Sequence, residues 1–237
     1  MNFAPFKLLT FDCYGTLVDW ETGLLGALRA WARQAGRAAD DEALLACFGA
    51  IEPIVQAERP GEPYRLILRE VQRRMAGALG APAREADAAA LADSVGDWPV
   101  FADTPAALRL LQSRYRLMVV SNVDRLSFDR TRPKLGVELD GLVTAEEVGA
   151  YKPDRRMFRR AIQVAASLGA APGEILHVAQ SLFHDVAPAS ALGLATVWVD
   201  RRAGQAGGAT RAAAPDVRAD LVVRSLEELS RLAVPGG

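Results

Sequence analysis

The chain has 237 residues, of which 50% are hydrophobic and 24% are charged, and its formal net charge is −1. This length suits one large domain or a core domain with a smaller insertion, and the composition is that of a globular protein. The balanced charge predicts no electrostatic attraction to nucleic acid or to an anionic membrane. No apolar run approaches the roughly 18 residues that a membrane-spanning helix needs.

The first residues lack the basic start of a signal peptide, and their apolar run leads directly into Asp12. Two cysteines, Cys13 and Cys47, are too few for a disulfide framework. We therefore expect a cytoplasmic protein that acts on a small molecule, with neither nucleic acid nor membrane as a partner. Assembly into a homodimer is left open.

Short apolar runs, several of them rich in valine, predict buried strands. They are residues 8–11, 117–120, 175–179, 196–199 and 221–223. Helical patterns lie between most of these runs. One begins at Thr104 with Pro105 in its first turn, and another covers residues 154–168 and stops at Gly169. This alternation predicts a parallel sheet covered by helices on both faces.

Residues 17–97 interrupt the alternation, because they are rich in Ala, Leu, Arg and Glu and contain no convincing strand. We interpret them as a small helical domain inserted after the first strand. The chain returns near residues 96–99, which leaves a core of residues 1–16 and 98–237. Residues 202–220 are rich in Gly, Ala and Arg and are expected to form a mobile loop.

Asp12 follows the first apolar run, in the motif F-D-C-Y-G-T. Ligands bind at the carboxyl ends of the strands in open parallel sheets, and a carboxylate there can attack an electrophilic carbon or phosphorus. Gly15 allows a tight turn, and Thr16 can hydrogen-bond the carboxylate. Taken alone, Asp12 fits an Asx-turn or a helix cap equally well.

Two further strand ends carry polar residues. Ser121 and Asn122 follow the second predicted strand, where small donors can bind a carboxylate, a phosphate or developing negative charge. A turn or cap is the alternative. Lys152 precedes Pro153, which disfavours helical geometry at Lys152, so its ammonium can reach into the cleft. A solvated lysine is the alternative there.

The fourth motif, H-V-A-Q-S-L-F-H-D, runs from the strand at residues 175–179 into a loop and ends at Asp185. A second carboxylate near Asp12 can activate water or hold Lys152 in place. His184 can titrate near neutral pH. His177 lies inside the strand and is expected to be a buried core residue with its hydrogen bonds satisfied.

In this order, the four motifs resemble those of the haloacid dehalogenase superfamily, over residues 1–16 and about 98–201. The resemblance implies an α/β fold with a Rossmann-like, doubly wound parallel sheet as its core and an inserted helical cap domain over residues 17–97. It also implies a hydrolase in which Asp12 is a covalent nucleophile and forms an aspartyl-enzyme intermediate.

Two positions resemble the 2-haloacid dehalogenase branch more than the phosphatases of the superfamily. Phosphatases usually carry a second Asp, their general acid and base, where this chain has Tyr14. A halide leaves as an anion and needs no proton. Phosphatases also carry a magnesium-holding carboxylate where this chain has Gln180. We therefore expect no metal and no cofactor, with magnesium required only if the chain is a phosphatase.

The similarity to the dehalogenases is incomplete. Their fourth motif resembles S-S-N-x-W-D, and this chain has Gln180, Leu182 and His184 at the first serine, asparagine and tryptophan positions. They also use a cap arginine to hold the substrate or halide, and no arginine falls near residues 47–50. The arginines nearby, each expected on a solvated helix face, are Arg59, Arg65 and Arg69.

The expected reaction is displacement of halide from a small 2-haloalkanoic acid by Asp12, followed by attack of water on the Asp12 ester. The resemblance assigns catalysis to Asp12, Lys152 and Asp185. The residues expected to bind the carboxylate substrate or shape its pocket are Tyr14, Thr16, Ser121, Asn122, Gln180 and His184. One alternative is a phosphatase or other hydrolase of the superfamily, and another is a non-catalytic protein that binds a metabolite or partner.

Overall fold

The structure is a computed structural model that describes residues 1–37, 40–202 and 212–235. The β-strands of these residues are β1 Leu8–Phe11, β2 Arg116–Ser121, β3 Gly141–Thr144, β4 Ile175–Ala179, β5 Ala195–Val199 and β6 Leu221–Val223. The α-helices are α1 Trp20–Gln34, α2 Asp41–Glu58, α3 Tyr64–Ala78, α4 Glu85–Ser94, α5 Thr104–Gln112, α6 Arg125–Thr131, α7 Ala145–Val148, α8 Arg155–Ser167, α9 Ala187–Ser190 and α10 Leu226–Ala233.

The strands form one parallel sheet in the order β3-β2-β1-β4-β5-β6. Residues of β1, β2 and β4 are buried almost throughout, as expected for strands covered on both faces. This confirms the predicted α/β fold with a doubly wound parallel sheet. Since all strands run in the same direction, the residues that follow β1, β2 and β4 lie at one edge of the sheet.

Strand β3 was not predicted from the sequence. It has only Leu142 and Val143 as strongly apolar residues, and its first two residues are partly exposed because it lies at the margin of the sheet. The predicted helix at residues 154–168 is confirmed. Asp154 caps it by accepting a hydrogen bond from the backbone of Arg156, and Gly169 follows it with φ +82°.

Between β1 and α5 the described residues form the helices α1–α4, which we call the inserted helices. The described part of residues 17–97 contains no β-strand, only an isolated bridge at Val18. The inserted helices bury an apolar stripe that includes Leu24, Phe48 and Val71. Their status as a separate cap domain, with boundaries at residues 17 and 97, stays a prediction.

The chain enters and leaves the inserted helices through two adjacent connections. Val18 and Val100 form an antiparallel bridge, and the backbone N–H of Asp19 donates to the Pro99 carbonyl at 2.8 Å. The hydroxyl of Thr104 also donates to the Leu17 carbonyl at 2.9 Å. The first and last residues of this region are therefore tied to each other.

Of the loop predicted at residues 202–220, residues 203–211 lie outside the described residues. Residues 212–220 contain neither helix nor strand. Within the part of the chain that is described, no helix is both long enough and apolar enough to cross a membrane.

Candidate active site

Asp12 lies directly after β1 and its side chain is largely buried, facing a cavity at the carboxyl edge of the sheet. Its Oδ2 accepts a hydrogen bond from the Thr16 hydroxyl at 2.7 Å. Gly15 has a backbone φ of +107°, which residues other than glycine rarely adopt. This turn brings Thr16 back to the carboxylate. The Thr16 hydroxyl also accepts a hydrogen bond from the Gln180 backbone at 2.9 Å, which joins the β1 and β4 ends.

Lys152 is 2% exposed, and its ammonium lies between two carboxylates. Its Nζ donates to Asp12 Oδ1 and to Asp185 Oδ1, at 2.7 Å each, and to the Val120 carbonyl at 3.0 Å. The amide side chain of Asn122 holds the backbone of Lys152, accepting from its N–H at 2.7 Å and donating to its carbonyl at 3.3 Å. Lys152 therefore does not point to solvent, and Asn122 positions it.

Asp185 is buried in a short π-helical turn at Leu182–Val186, which Ser181 caps through its side chain. Asp185 Oδ1 lies 3.1 Å from His177 Nε2, and His177 Nδ1 lies 2.8 Å from the Thr10 hydroxyl. His177 is fully buried with both ring nitrogens paired, as predicted. The register of β1 against β4 places His177 beside Thr10. The contact between His177 and Asp185 was not predicted from the sequence.

The three charged groups shift one another's pKa values. Burial raises the pKa of Asp12 above its ordinary value, and the Asp185 charge adds to this rise against the opposing effect of Lys152. Burial would also raise the pKa of Asp185, but the charge of Lys152 and the hydrogen bond to His177 outweigh it and the pKa falls. Burial would lower the pKa of Lys152, but its two carboxylate partners raise it. Lys152 lowers the pKa of Asp12 but does not fully offset the rise that burial causes.

The remaining predicted residues line the same cavity. Ser121 is buried at the end of β2, and the Tyr14 hydroxyl pairs with the Thr131 hydroxyl at 2.8 Å. The carbonyl of Gln180 accepts from the Trp198 indole at 2.8 Å. His184 Nδ1 lies 3.1 Å from the Ser181 hydroxyl. The structure therefore brings together residues from all four motifs.

The cavity has a volume of about 110 Å³. Sequence reasoning missed its opposite wall, which the inserted helices and the chain after them supply. The wall residues are Trp20, Phe48, Gly49, Glu52, Gln56, Tyr64 and Trp98. Their helical spacing signals burial, but it does not tell a core position from a pocket position.

Among the described residues that line the cavity, none is an arginine. Arg59 pairs with Glu62 at 3.4 Å, and Arg69 pairs with Glu85 at 2.9 Å, with both guanidinium groups partly exposed. These ion pairs are consistent with the solvated positions expected for Arg59 and Arg69. The acidic Glu52 lies on the cavity wall instead, one helical turn from Phe48 on α2.

The contacts of the two core carboxylates do not fit a magnesium site. Both oxygens of Asp12 are engaged, by Lys152 and by Thr16, and one oxygen of Asp185 is shared by Lys152 and His177. Magnesium needs several oxygen ligands in octahedral geometry. Within the described ranges, no group of three or more His, Cys, Asp or Glu residues is arranged to hold a metal ion.

Structural comparison finds several dehalogenases with the same fold. A defluorinating L-2-haloacid dehalogenase aligns with a TM-score of 0.79 and 21% identity, over 96% of this chain and 95% of that one. An L-2-haloacid dehalogenase from Xanthobacter autotrophicus, with chloropropionic acid covalently bound, aligns with a TM-score of 0.79 and 20% identity, over 98% and 100%. At these identities the likeness shows the fold alone.

A further match carries only the broader description of a HAD-hydrolase. A HAD-hydrolase from Bacillus subtilis, bound to magnesium, aligns with a TM-score of 0.78 and 16% identity, over 96% of this chain and 98% of that one. No curated protein matches the chain in sequence. The family model of the haloacid dehalogenase-like hydrolases, however, matches residues 6–193. Because this match spans most of the chain, the protein belongs to the haloacid dehalogenase-like hydrolases.

Proposed function

We propose that this hydrolase displaces halide from small 2-haloalkanoic acids and their close derivatives, through an ester formed on Asp12. One observation carries the proposal: the Asp12 carboxylate faces a small cavity while Lys152 and Thr16 each hold one of its oxygens, at 2.7 Å. A carboxylate fixed in this way is oriented for attack on a bound electrophile.

In the first step an oxygen of Asp12 attacks the halogen-bearing carbon from the side opposite the halogen. The new carbon–oxygen bond forms as the carbon–halogen bond breaks, and the halide leaves with the bonding electrons. The halide needs no proton. This agrees with Tyr14, whose hydroxyl pairs with Thr131 and whose pKa is raised well above its ordinary value by burial, so that it stays protonated.

In the second step, water attacks the ester carbonyl of Asp12. Asp185 and His184 both line the cavity and are the candidates to accept a proton from this water. The ester bond then breaks and the departing oxygen takes the proton back from that base, so the 2-hydroxy product leaves; Asp12 loses its remaining proton to solvent and returns to a carboxylate. Lys152 contacts both Asp12 and Asp185, so it can stabilise the negative charge that develops at the ester during this step.

Oxygen labelling tests the covalent step. A single turnover in heavy-oxygen water should place the label in Asp12 and leave the product unlabelled, because the oxygen transferred first comes from the enzyme. If Asp12 only activated water, the product would carry the label at once. Asp12→Asn removes activity under either route, so the label and not the mutation decides between them.

Leaving-group specificity needs a separate measurement. The assay follows halide release from 2-chloropropionate and its amide, and phosphate release from small phosphoesters, each with and without chelator. Chelator-resistant halide release supports the proposal. Phosphate release that depends on magnesium would select a phosphatase, and release of neither product would favour a protein that only binds a metabolite.

A further inference from the structure

We propose that Glu52 is a specificity-determining residue, which makes the enzyme use 2-haloalkanamides and related neutral compounds better than 2-haloalkanoates of the same carbon skeleton. The inference rests on the proposed function and deepens it. Glu52 belongs to α2 and lines the cavity on the wall facing the four motifs. A group in that position meets the part of the substrate that does not react.

The charges of the cavity wall disfavour an anionic substrate. Its described lining residues include three carboxylates, Asp12, Glu52 and Asp185, against the single ammonium of Lys152. That ammonium already contacts Asp12 and Asp185 at 2.7 Å each. A substrate carboxylate would therefore bring a further negative charge into the cavity. The positive charge of Lys152 is already balanced there by the carboxylates of Asp12 and Asp185.

Glu52 is held in place as a hydrogen-bonding group. Its Oε1 accepts a hydrogen bond from the amide of Gln56, one turn further along α2. Gln56 and Tyr64 also line the cavity, as do Trp20 and Phe48, whose rings lie 6.0 Å apart. This largely apolar wall raises the pKa of Glu52 to about 7 through burial.

An amide or hydroxyl on the substrate suits this wall better than a carboxylate does. When Glu52 is ionised, its carboxylate accepts hydrogen bonds and so matches an N–H or O–H donor. A carboxylate has no donor to offer and is repelled by the like charge. When Glu52 is protonated the repulsion disappears, and its own hydroxyl can donate to a substrate carboxylate.

The test compares halide release from 2-chloropropionamide and 2-chloropropionate by the full chain, at about pH 8.5 where Glu52 is ionised. Glu52→Gln keeps the size of the side chain and removes its charge. The ratio of kcat/KM for the amide to kcat/KM for the acid should fall by about tenfold, through a lower KM for the acid. Glu42→Gln, an exposed glutamate of the same helix, is the matched control and should leave the ratio unchanged.

A pH series separates charge from shape. As pH falls through about 7, use of the acid by the wild type should rise relative to use of the amide, because Glu52 becomes neutral. Glu52→Gln should flatten this change. The other ionisable groups that face Glu52 or its cavity are Tyr14, Tyr64, Tyr151, Asp12, Lys152, His184 and Asp185. They remain in both proteins, so the difference between the two series belongs to Glu52.

The outcomes distinguish the role of Glu52 from the proposed function. An amide-to-acid ratio that Glu52→Gln leaves unchanged, in a variant whose thermal melt matches the wild type, overturns the role of Glu52 and leaves the proposed function standing. A wild type that prefers the acid at the alkaline pH overturns it as well. Halide release from neither compound overturns the proposed function, and this inference with it.

Discussion

Asp12 has to be ionised to act as a nucleophile, yet its burial disfavours the charged form. Burial raises its pKa above the ordinary 3.8, and the hydrogen bond from Thr16 works in the opposite direction. The acid limb of kcat/KM should therefore lie above the pH range of an ordinary aspartate. Activity is present above the pKa of Asp12 and is lost as pH falls through it.

Thr16→Val should move this acid limb to higher pH, because it removes a hydrogen bond that lowers the pKa of Asp12. The measurement is kcat/KM against pH with 2-chloropropionamide, which does not itself titrate. Thr22→Val is the control, since Thr22 makes a similar bond to Asp19 outside the cavity, also at 2.7 Å. A limb that stays in place, or moves to lower pH, would contradict the role given to Thr16.

His177→Phe should slow the second step more than the first. The hydrogen bonds around His177 are satisfied when Thr10 donates to Nδ1 and Nε2–H donates to Asp185. A bond to a buried charged group contributes about 1.5–3 kcal/mol, so kcat should fall by about 10–100-fold. Mass spectrometry during turnover should find more of the Asp12 ester than in the wild type.

Thr10→Val gives a graded comparison, because it removes only the outer hydrogen bond of this chain and should have a smaller effect on kcat. If His177→Phe lowers kcat without accumulation of the ester, then His177 supports the fold and not the hydrolysis of the intermediate. The sequence predicted that His177 is buried and paired. Its partner could not be predicted, because Asp185 reaches it only through the π-helical turn.

At the scale of elements, local patterns predicted those strands and helices whose patterns are strong. The strand before Asp12 was predicted from a short apolar run, residues 8–11, whereas β3 offers only two strongly apolar residues. The carboxyl ends of the strands were predicted as the place of the candidate site because parallel sheets bind ligands there. Helix α2 was different, since which of its residues face the cavity depends on how it packs against α1 and α3.

Helix α3 contains a position where stability should improve. Gln72 is fully buried, and among the described residues neither its amide nitrogen nor its amide oxygen has a hydrogen-bond partner. An unpaired buried amide costs free energy. Gln72→Leu should therefore raise the free energy of unfolding by about 1 kcal/mol and the melting temperature by about 2–4 °C.

Differential scanning calorimetry measures this change, with Gln163→Leu on the exposed face of α8 as the control, expected to stay within about 0.5 kcal/mol. A lower melting temperature for Gln72→Leu would show that the amide has a partner that stabilises the fold. Activity should not change with either substitution, because neither residue lines the cavity.

At the scale of the whole molecule, the strand order sets where the site lies. The chain builds β1, β2 and β3 outward to one side and then crosses to β4, beside β1, before building the other side. Doubly wound sheets bind ligands at the crevice where this reversal occurs. Asp12 follows β1 and Asp185 follows β4, so the two carboxylates flank that point. The alternation of strands and helices predicted the parallel sheet but not this strand order, because β3 was missed.

Halide release by the intact enzyme should survive treatment with a chelator. Lys152 already provides a positive charge between Asp12 and Asp185, and Thr16 engages the second oxygen of Asp12. Turnover measured after treatment with chelator and removal of the chelated metal should stay within about twofold of the untreated enzyme. Loss of activity that added magnesium restores would contradict this assignment of the two carboxylates.

The bridge between Val18 and Val100 bears on how such an enzyme can diversify. The sheet connects to α1–α4 through two backbone segments that lie against each other. The whole helical segment is therefore attached to the sheet at one place. Its replacement by a different segment would need only two ends that meet at the same spacing. The Asp12 chemistry would be inherited unchanged by such a recombinant, while the wall that carries Glu52, and with it the choice of substrate, would be exchanged in one event.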